Sequence, residues 1–162
     1  MPSLRKFQIS PIIFLALVIS TQVHAQANKP VLEKNRLSIG AGISDNEVNN
    51  PDDSGTGFQL FAAYDLQQVN LMEGVDSSVE FGIMDFGLDG DDTGIWGSYV
   101  VDGDLSGGFG WLAQAGLDIG DDSGLLFGAG LKFTLDKQST LRLEYVARDD
   151  VDSLQLNFLF HL

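Results

Sequence analysis

The sequence predicts an all-β fold, a closed eight-stranded antiparallel up-and-down transmembrane barrel. Two observations carry that prediction. First, residues 109–135 form two arms in which every second residue is apolar: Phe109, Trp111, Ala113, Ala115, Leu117 and Ile119, then Leu125, Phe127, Ala129, Leu131, Phe133 and Leu135. Successive strand side chains point to opposite faces, so each arm has one continuous greasy face. Between the arms, Gly120-Asp121-Asp122-Ser123-Gly124 is a cluster of turn formers. Second, the other face is narrow and hydrophilic, with glycines beside Lys132. That suits the crowded inside of a small closed barrel whose outer surface is apolar.

The elements follow in order. Arg5 and Lys6 precede an apolar run over residues 11–19, and Val23-His24-Ala25 places small residues where signal peptidase reads. Residues 1–25 are therefore expected to be a secretory signal peptide, cleaved after Ala25. Residues 26–35 show no period and form a periplasmic lead-in to a barrel domain over residues 36–162. The first strand is residues 36–44, where Leu37, Ile39, Ala41 and Ile43 alternate with small residues. A polar loop over residues 45–57 leads to the second strand, residues 58–66, with Phe58, Leu60, Ala62, Tyr64 and Leu66 in phase. Residues 67–78 are a turn region of unassigned conformation.

The third strand is residues 79–85, with Val79, Phe81 and Ile83 outward and Glu80 inward. An acidic loop over residues 87–94 precedes the fourth strand, residues 95–101. Here either Ile95, Tyr99 and Val101 or Trp96 and Val100 face lipid; Gly97 and Ser98 do not settle the choice, and the first phase is preferred. A tight turn over residues 102–108 leads into the two arms. A turn over residues 136–140 leads to the seventh strand, residues 141–147, with Leu141, Leu143 and Tyr145 outward. The eighth strand, residues 154–162, directs Leu154, Leu156, Phe158, Phe160 and Leu162 outward.

Cleavage leaves 137 residues, the size of one domain. Eight strands of about 10 residues use roughly 80 of them, and sixteen would not fit. No segment beyond the N-terminal run approaches the roughly 18 consecutive apolar residues of a membrane helix, so a helical membrane protein is excluded. The whole chain carries a net charge of −14 and the cleaved chain −16, because the signal contains Arg5 and Lys6 and no acid. So acidic a protein does not suit nucleic acid. The absence of cysteine rules out disulfides, thiolate metal sites and an N-terminal lipidated cysteine, and agrees with passage through an oxidising compartment.

If both termini are periplasmic, the outer loops are residues 45–57, 87–94, 120–124 and 148–153, and they hold most of the acidic residues. Tyr64, Trp111, Phe133, Phe158 and Phe160 then fall near the periplasmic strand ends, where an aromatic girdle belongs. The inward charges are Glu80, Asp118, Lys132, Arg142 and Glu144. If Leu135 pairs with Leu141, Lys132 lies opposite Glu144 and makes an ion pair inside the barrel. An eight-stranded interior is about wide enough for side chains to fill, so these charges are expected to form an electrostatic plug, with an ion or proton path as the alternative.

The acidic turns Asp52-Asp53-Ser54-Gly55, Asp91-Asp92-Thr93-Gly94, Asp121-Asp122-Ser123-Gly124 and Asp149-Asp150 could hold calcium or magnesium or bridge them to lipopolysaccharide phosphates. Their spacing matches neither an EF-hand nor the glycine-rich calcium nonapeptide, and solvated turns are the preferred reading. No metal site and no cofactor is expected. One histidine follows the signal, His161, with no serine evidently placed beside it, so no catalytic residue is assigned. A periplasmic lipocalin-like barrel or a β-sandwich would also alternate, but with its apolar face inward.

The run Phe127-Gly128-Ala129-Gly130-Leu131-Lys132-Phe133, then Leu141-Arg142-Leu143-Glu144-Tyr145, then a terminal alternating strand, resembles the last three strands of the eight-stranded OmpX/OmpA-type outer-membrane barrels. The resemblance extends over residues 36–162 and is distinctive from Phe109 onward. It implies an outer-membrane barrel of a Gram-negative bacterium in a structural or surface-interaction role, with acidic external loops on a side-chain-filled scaffold. Some eight-stranded barrels are lipid A deacylases or palmitoyl transferases, and the lack of a catalytic set around His161 makes this one non-enzymatic in expectation. A narrow porin for small solutes or ions is the alternative. It also implies outer-membrane lipids and lipopolysaccharide as surroundings, a monomer, and recognition of the strand from Leu154 to Leu162 by the barrel assembly machinery. Family members commonly end in an aromatic residue, whereas this chain ends in Leu162. The external ligand is left open.

Overall fold

A computed structural model describes residues 32–48, 54–66, 72–88, 93–120 and 123–162. The expected signal peptide and residues 52–53, 91–92 and 121–122 of the acidic turns lie outside these. The strands are β1 (Leu37–Val48), β2 (Ser54–Asp65), β3 (Val75–Asp85), β4 (Thr93–Ser106), β5 (Phe109–Gly120), β6 (Gly124–Thr134), β7 (Ser139–Ala147) and β8 (Val151–His161). Each pairs antiparallel with its neighbours in sequence, and β1 pairs with β8 from Ser38↔His161 to Val48↔Val151, which closes the barrel. Closure matters because hydrocarbon offers no partner to the N–H and C=O groups of an open sheet edge. A short 3-10 turn (Lys34–Arg36) precedes β1. It is held by Arg36, whose Nε donates to the Asp65 carbonyl at 2.8 Å while its guanidinium lies over the Tyr64 ring.

The two faces of the sheet are inside out relative to a soluble barrel. Phe127 is 57% exposed and Glu144 1%. Ile43, Phe81, Ile95, Leu117 and Phe158, spread over five strands, are exposed in the same way. Soluble monomers rarely expose contiguous apolar patches beyond a few hundred Å², whereas a band around the whole barrel is what acyl chains cover. The lipocalin-like and sandwich alternatives are therefore excluded. The fourth strand takes the preferred phase, since Ile95 is exposed while Trp96 and Val100 are buried.

Most strands run further than hydropathy alone indicates. β1 continues through Asp45 and Glu47, β2 begins at Ser54 and β3 at Val75, so the expected loop over residues 45–57 and the turn region over 67–78 are both shorter. The backbone ladder continues after the outward side chains turn polar, and it is that change in polarity which ends the apolar alternation. β4 likewise extends to Ser106, so the expected turn over residues 102–108 contracts to Gly107 and Gly108. Their φ values of 62° and 83° lie where a Cβ is strained. The external loop expected over residues 148–153 also tightens, since Arg148 N–H donates to the Val151 carbonyl and Arg148 and Ser153 are buried.

The largest correction is the register of β6 on β7. Phe133, not Leu135, faces Leu141, so Lys132 faces Arg142, and Gly130 is the residue opposite Glu144. The slip is two residues, which preserves every face and changes every partner. Its cause is a tight turn, in which Leu135 N–H donates to the Ser139 carbonyl at 2.9 Å and starts β7 two residues early.

Inward glycines make room for large side chains lying across the lumen. The ring of Phe61 sits where a Gly40 Cβ would be, and a Cβ on Gly82 would lie 2.7 Å from the Trp96 indole. The two rings pack with centroids 5.6 Å apart. Gly82→Val should therefore lower stability by about 1–3 kcal/mol, while Ala62→Val, on the exposed face, should leave it nearly unchanged. Urea unfolding of the refolded protein in detergent micelles measures both.

Candidate functional site in the barrel interior

All five inward charges expected from the sequence point into the lumen, and they fall into three separate groups. The first is centred on Arg142. Strand β7 carries Arg142 and Glu144 on the same face, and β3 brings Glu80 from across the lumen. Arg142 NH1 donates to Glu80 Oε1 at 2.6 Å and NH2 to Glu144 Oε2 at 3.0 Å. Its Nε lies 2.8 Å from Glu144 Oε1, an ion-pair contact outside hydrogen-bond geometry. One cation between two buried carboxylates leaves negative charge uncompensated, and amide donors offset it. Gln114 Nε2 donates to Glu144 Oε2 and Asn157 Nδ2 to Glu144 Oε1, each at 2.9 Å. Gln59 Nε2 extends the network to Gln155 Oε1 and Asn157 Oδ1, at 2.8 and 2.7 Å. Charge-assisted bonds of this kind are the strong ones in a dry site.

The second group lies nearer the end opposite the termini. Arg148 Nε donates to Asp118 Oδ2 and NH1 to Ser153 Oγ, both at 2.8 Å, and the guanidinium lies 5.2 Å from the centre of the Phe86 ring. Arg148 is absent from the expected inward charges because the sequence reads residues 148–153 as a loop. Its spacing of six from Arg142, an even number, is the signal that would have found it.

The third group lies near the end that carries both termini. Lys132 does not reach Glu144; it pairs with Asp102 and, at 3.0 Å, with Asp104, both from the extended end of β4. These carboxylates were missed because the sequence reads residues 102–108 as a turn. Here the lumen widens into a chamber of about 400 Å³. On its wall Ser38 Oγ lies 2.7 Å from His161 Nδ1, and Thr140 Oγ1 lies 3.1 Å from His161 Nε2. The expectation of no serine beside His161 is thus overturned, because closure of β1 on β8 sets Ser38 directly opposite it. Both ring nitrogens are taken by hydroxyls, so no carboxylate orients the imidazole as nucleophile activation requires.

Among the described residues no group of three or more His, Cys, Asp or Glu converges as a metal site. The arrangement can hold charge firmly across the lumen. Removing one partner of a buried network leaves the others uncompensated, so Arg142→Met should cost about 3–5 kcal/mol. Lys132→Met should cost less than half as much, since the Lys132 and Asp102 side chains remain 14% and 24% exposed and can be rehydrated. Denaturant unfolding of the two variants side by side checks the order.

No protein-family model and no curated protein matches the sequence. Solved structures do match. A de novo designed transmembrane β-barrel aligns over 80% of this chain and 98% of its own at 14% identity, with a TM-score of 0.56. Neisserial surface protein A aligns over 78% of this chain and 96% of its own at 12% identity, with a TM-score of 0.50. Identities this low speak for architecture alone. The resemblance to eight-stranded outer-membrane barrels holds at that level: the chain has the fold of a transmembrane barrel, closed and filled.

Proposed function

We propose that the protein is a non-enzymatic outer-membrane barrel of a Gram-negative bacterium, acting as a rigid structural or surface-interaction scaffold with a sealed interior. The observation that carries this reading is the Arg142 network, which links β2, β3, β5, β7 and β8 by hydrogen bonds through the middle of the lumen. An ion crossing there would have to break buried charge-assisted bonds. In this reading a signal peptide cleaved after Ala25 directs export, and both termini are periplasmic. The acidic hairpins at the other end face outward among lipopolysaccharide headgroups. The apolar band sits among acyl chains, and β8 is the strand offered to the barrel assembly machinery. The fold shared with membrane barrels supports the location. The Ser38–His161 pair, held by the Thr140 hydroxyl in place of a carboxylate, supports the absence of hydrolytic chemistry.

A narrow pore is the second reading, and the chamber near the termini favours it, because a vestibule of that size is what a channel entrance needs. The two readings part at the Arg142 layer. In planar bilayers the refolded protein should give no stable unitary currents at moderate voltage, while retaining heat-modifiable migration in detergent gels as evidence of folding. Reproducible single-channel steps from folded protein would favour the pore.

A further inference from the structure

The chamber at the termini end has a charge pattern that the sealed-scaffold reading does not use. Six carboxylates and three cationic side chains line it. Two of the cations are already outnumbered: Lys132 is shared by Asp102 and Asp104, and Arg142 by Glu80 and Glu144. Asp65, at the end of β2, and Asp76, near the start of β3, line the chamber and make no ion pair among the described residues. Beside them is Ser78, 7% exposed and on the lumen-facing side of β3 with Glu80, whose hydroxyl has no hydrogen-bond partner among the described residues. Because Ser78 lines the chamber, its hydroxyl is available to something entering it.

We propose that the chamber binds a small organic polyamine. The charge selects a cation, because a concave site in which one sign predominates, here six carboxylates against three cations, concentrates its counter-ion. The spacing selects an extended organic cation over a metal ion. The chamber's carboxylates are spread over β2, β3, β4 and the turn before β7, and among the described residues no three of them converge closely enough to hold an ion. A hard divalent cation needs several oxygens within a single coordination shell, whereas a flexible chain with ammonium groups at intervals can meet separated carboxylates one at a time. A volume of about 400 Å³ falls in the range of small-ligand sites, about 300–1,000 Å³. Asp65 and Asp76 would receive one ammonium, with Ser78 accepting a hydrogen bond from it, and the rest of the molecule would extend past Asp102 and Asp104 across the chamber.

Spermidine is the probe, titrated into the refolded full barrel in zwitterionic micelles and followed by calorimetry and by the ring proton signals of His161, which sits on the chamber wall. Saturable one-site binding that perturbs those signals is expected. Asp65→Asn with Asp76→Asn should weaken it by roughly tenfold or more, and Ser78→Ala by about threefold, with heat-modifiable migration unchanged. No saturable binding, an affinity unaffected by the double substitution, or an equal response to magnesium chloride at matched ionic strength would each overturn the proposal. Should the double variant fail to refold, Ser78→Ala and the His161 signals of the unaltered protein decide alone: loss of affinity and perturbed signals support the site, and their absence overturns it.

Discussion

A guanidinium buried between two carboxylates sets the terms for the rest of this barrel. Arg142 lies in the lumen with Glu80 on one side and Glu144 on the other, and desolvating three charges is costly unless each is fully partnered. The partners come from five strands, so the network can form only when the sheet has curled round and β1 has met β8. Backbone closure and side-chain satisfaction thus depend on one another. Lipid enforces the first by penalising open edges, and the ionic network favours a single register in which its donors and acceptors coincide.

The glycines are the counterpart of that network. A small barrel has little interior space, and filling it with Phe61, Trp96, Arg142 and Glu144 requires that facing positions carry no side chain. Gly40 accommodates the Phe61 ring, Gly82 the Trp96 indole and Gly130, opposite Glu144, the close approach of the β7 backbone and the Glu144 side-chain stem. Such alternation of very large and absent side chains gives a packed middle, in which Phe61, Met84, Phe86, Trp96, Leu126 and Val146 form a buried apolar cluster beside the ionic network. Among the described residues the lumen widens near the termini, where aspartates replace bulky residues.

Much of this was legible in the sequence because a strand in lipid has a strict period of two. The alternation from Phe109 to Leu135 identified the lipid face, and the same phase set Glu80, Asp118, Lys132, Arg142 and Glu144 on the opposite face. Partners were harder to read. Parity survives a two-residue slip, so periodicity cannot distinguish Lys132 facing Glu144 from Lys132 facing Arg142; the turn at residues 135–138 decides that, and its geometry is local. Strand ends were also obscured, because Asp102, Asp104 and Arg148 look like loop residues by polarity although their backbones remain in or beside the ladder. Ser38 and His161 are 123 residues apart in the chain, and only closure of the barrel makes them neighbours.

The central claim is that the oily stripe of each strand contacts acyl chains while the hydrophilic stripe faces a dry, occupied lumen. Because the chain contains no cysteine, single cysteines can be introduced one at a time along β6, at Phe127, Gly128, Ala129, Gly130 and Leu131, and tagged with a fluorophore in refolded proteoliposomes. Quenching by brominated acyl chains should alternate with period two, strong at residues 127, 129 and 131 and weak at 128 and 130. Uniform quenching, or the opposite alternation, would contradict the account.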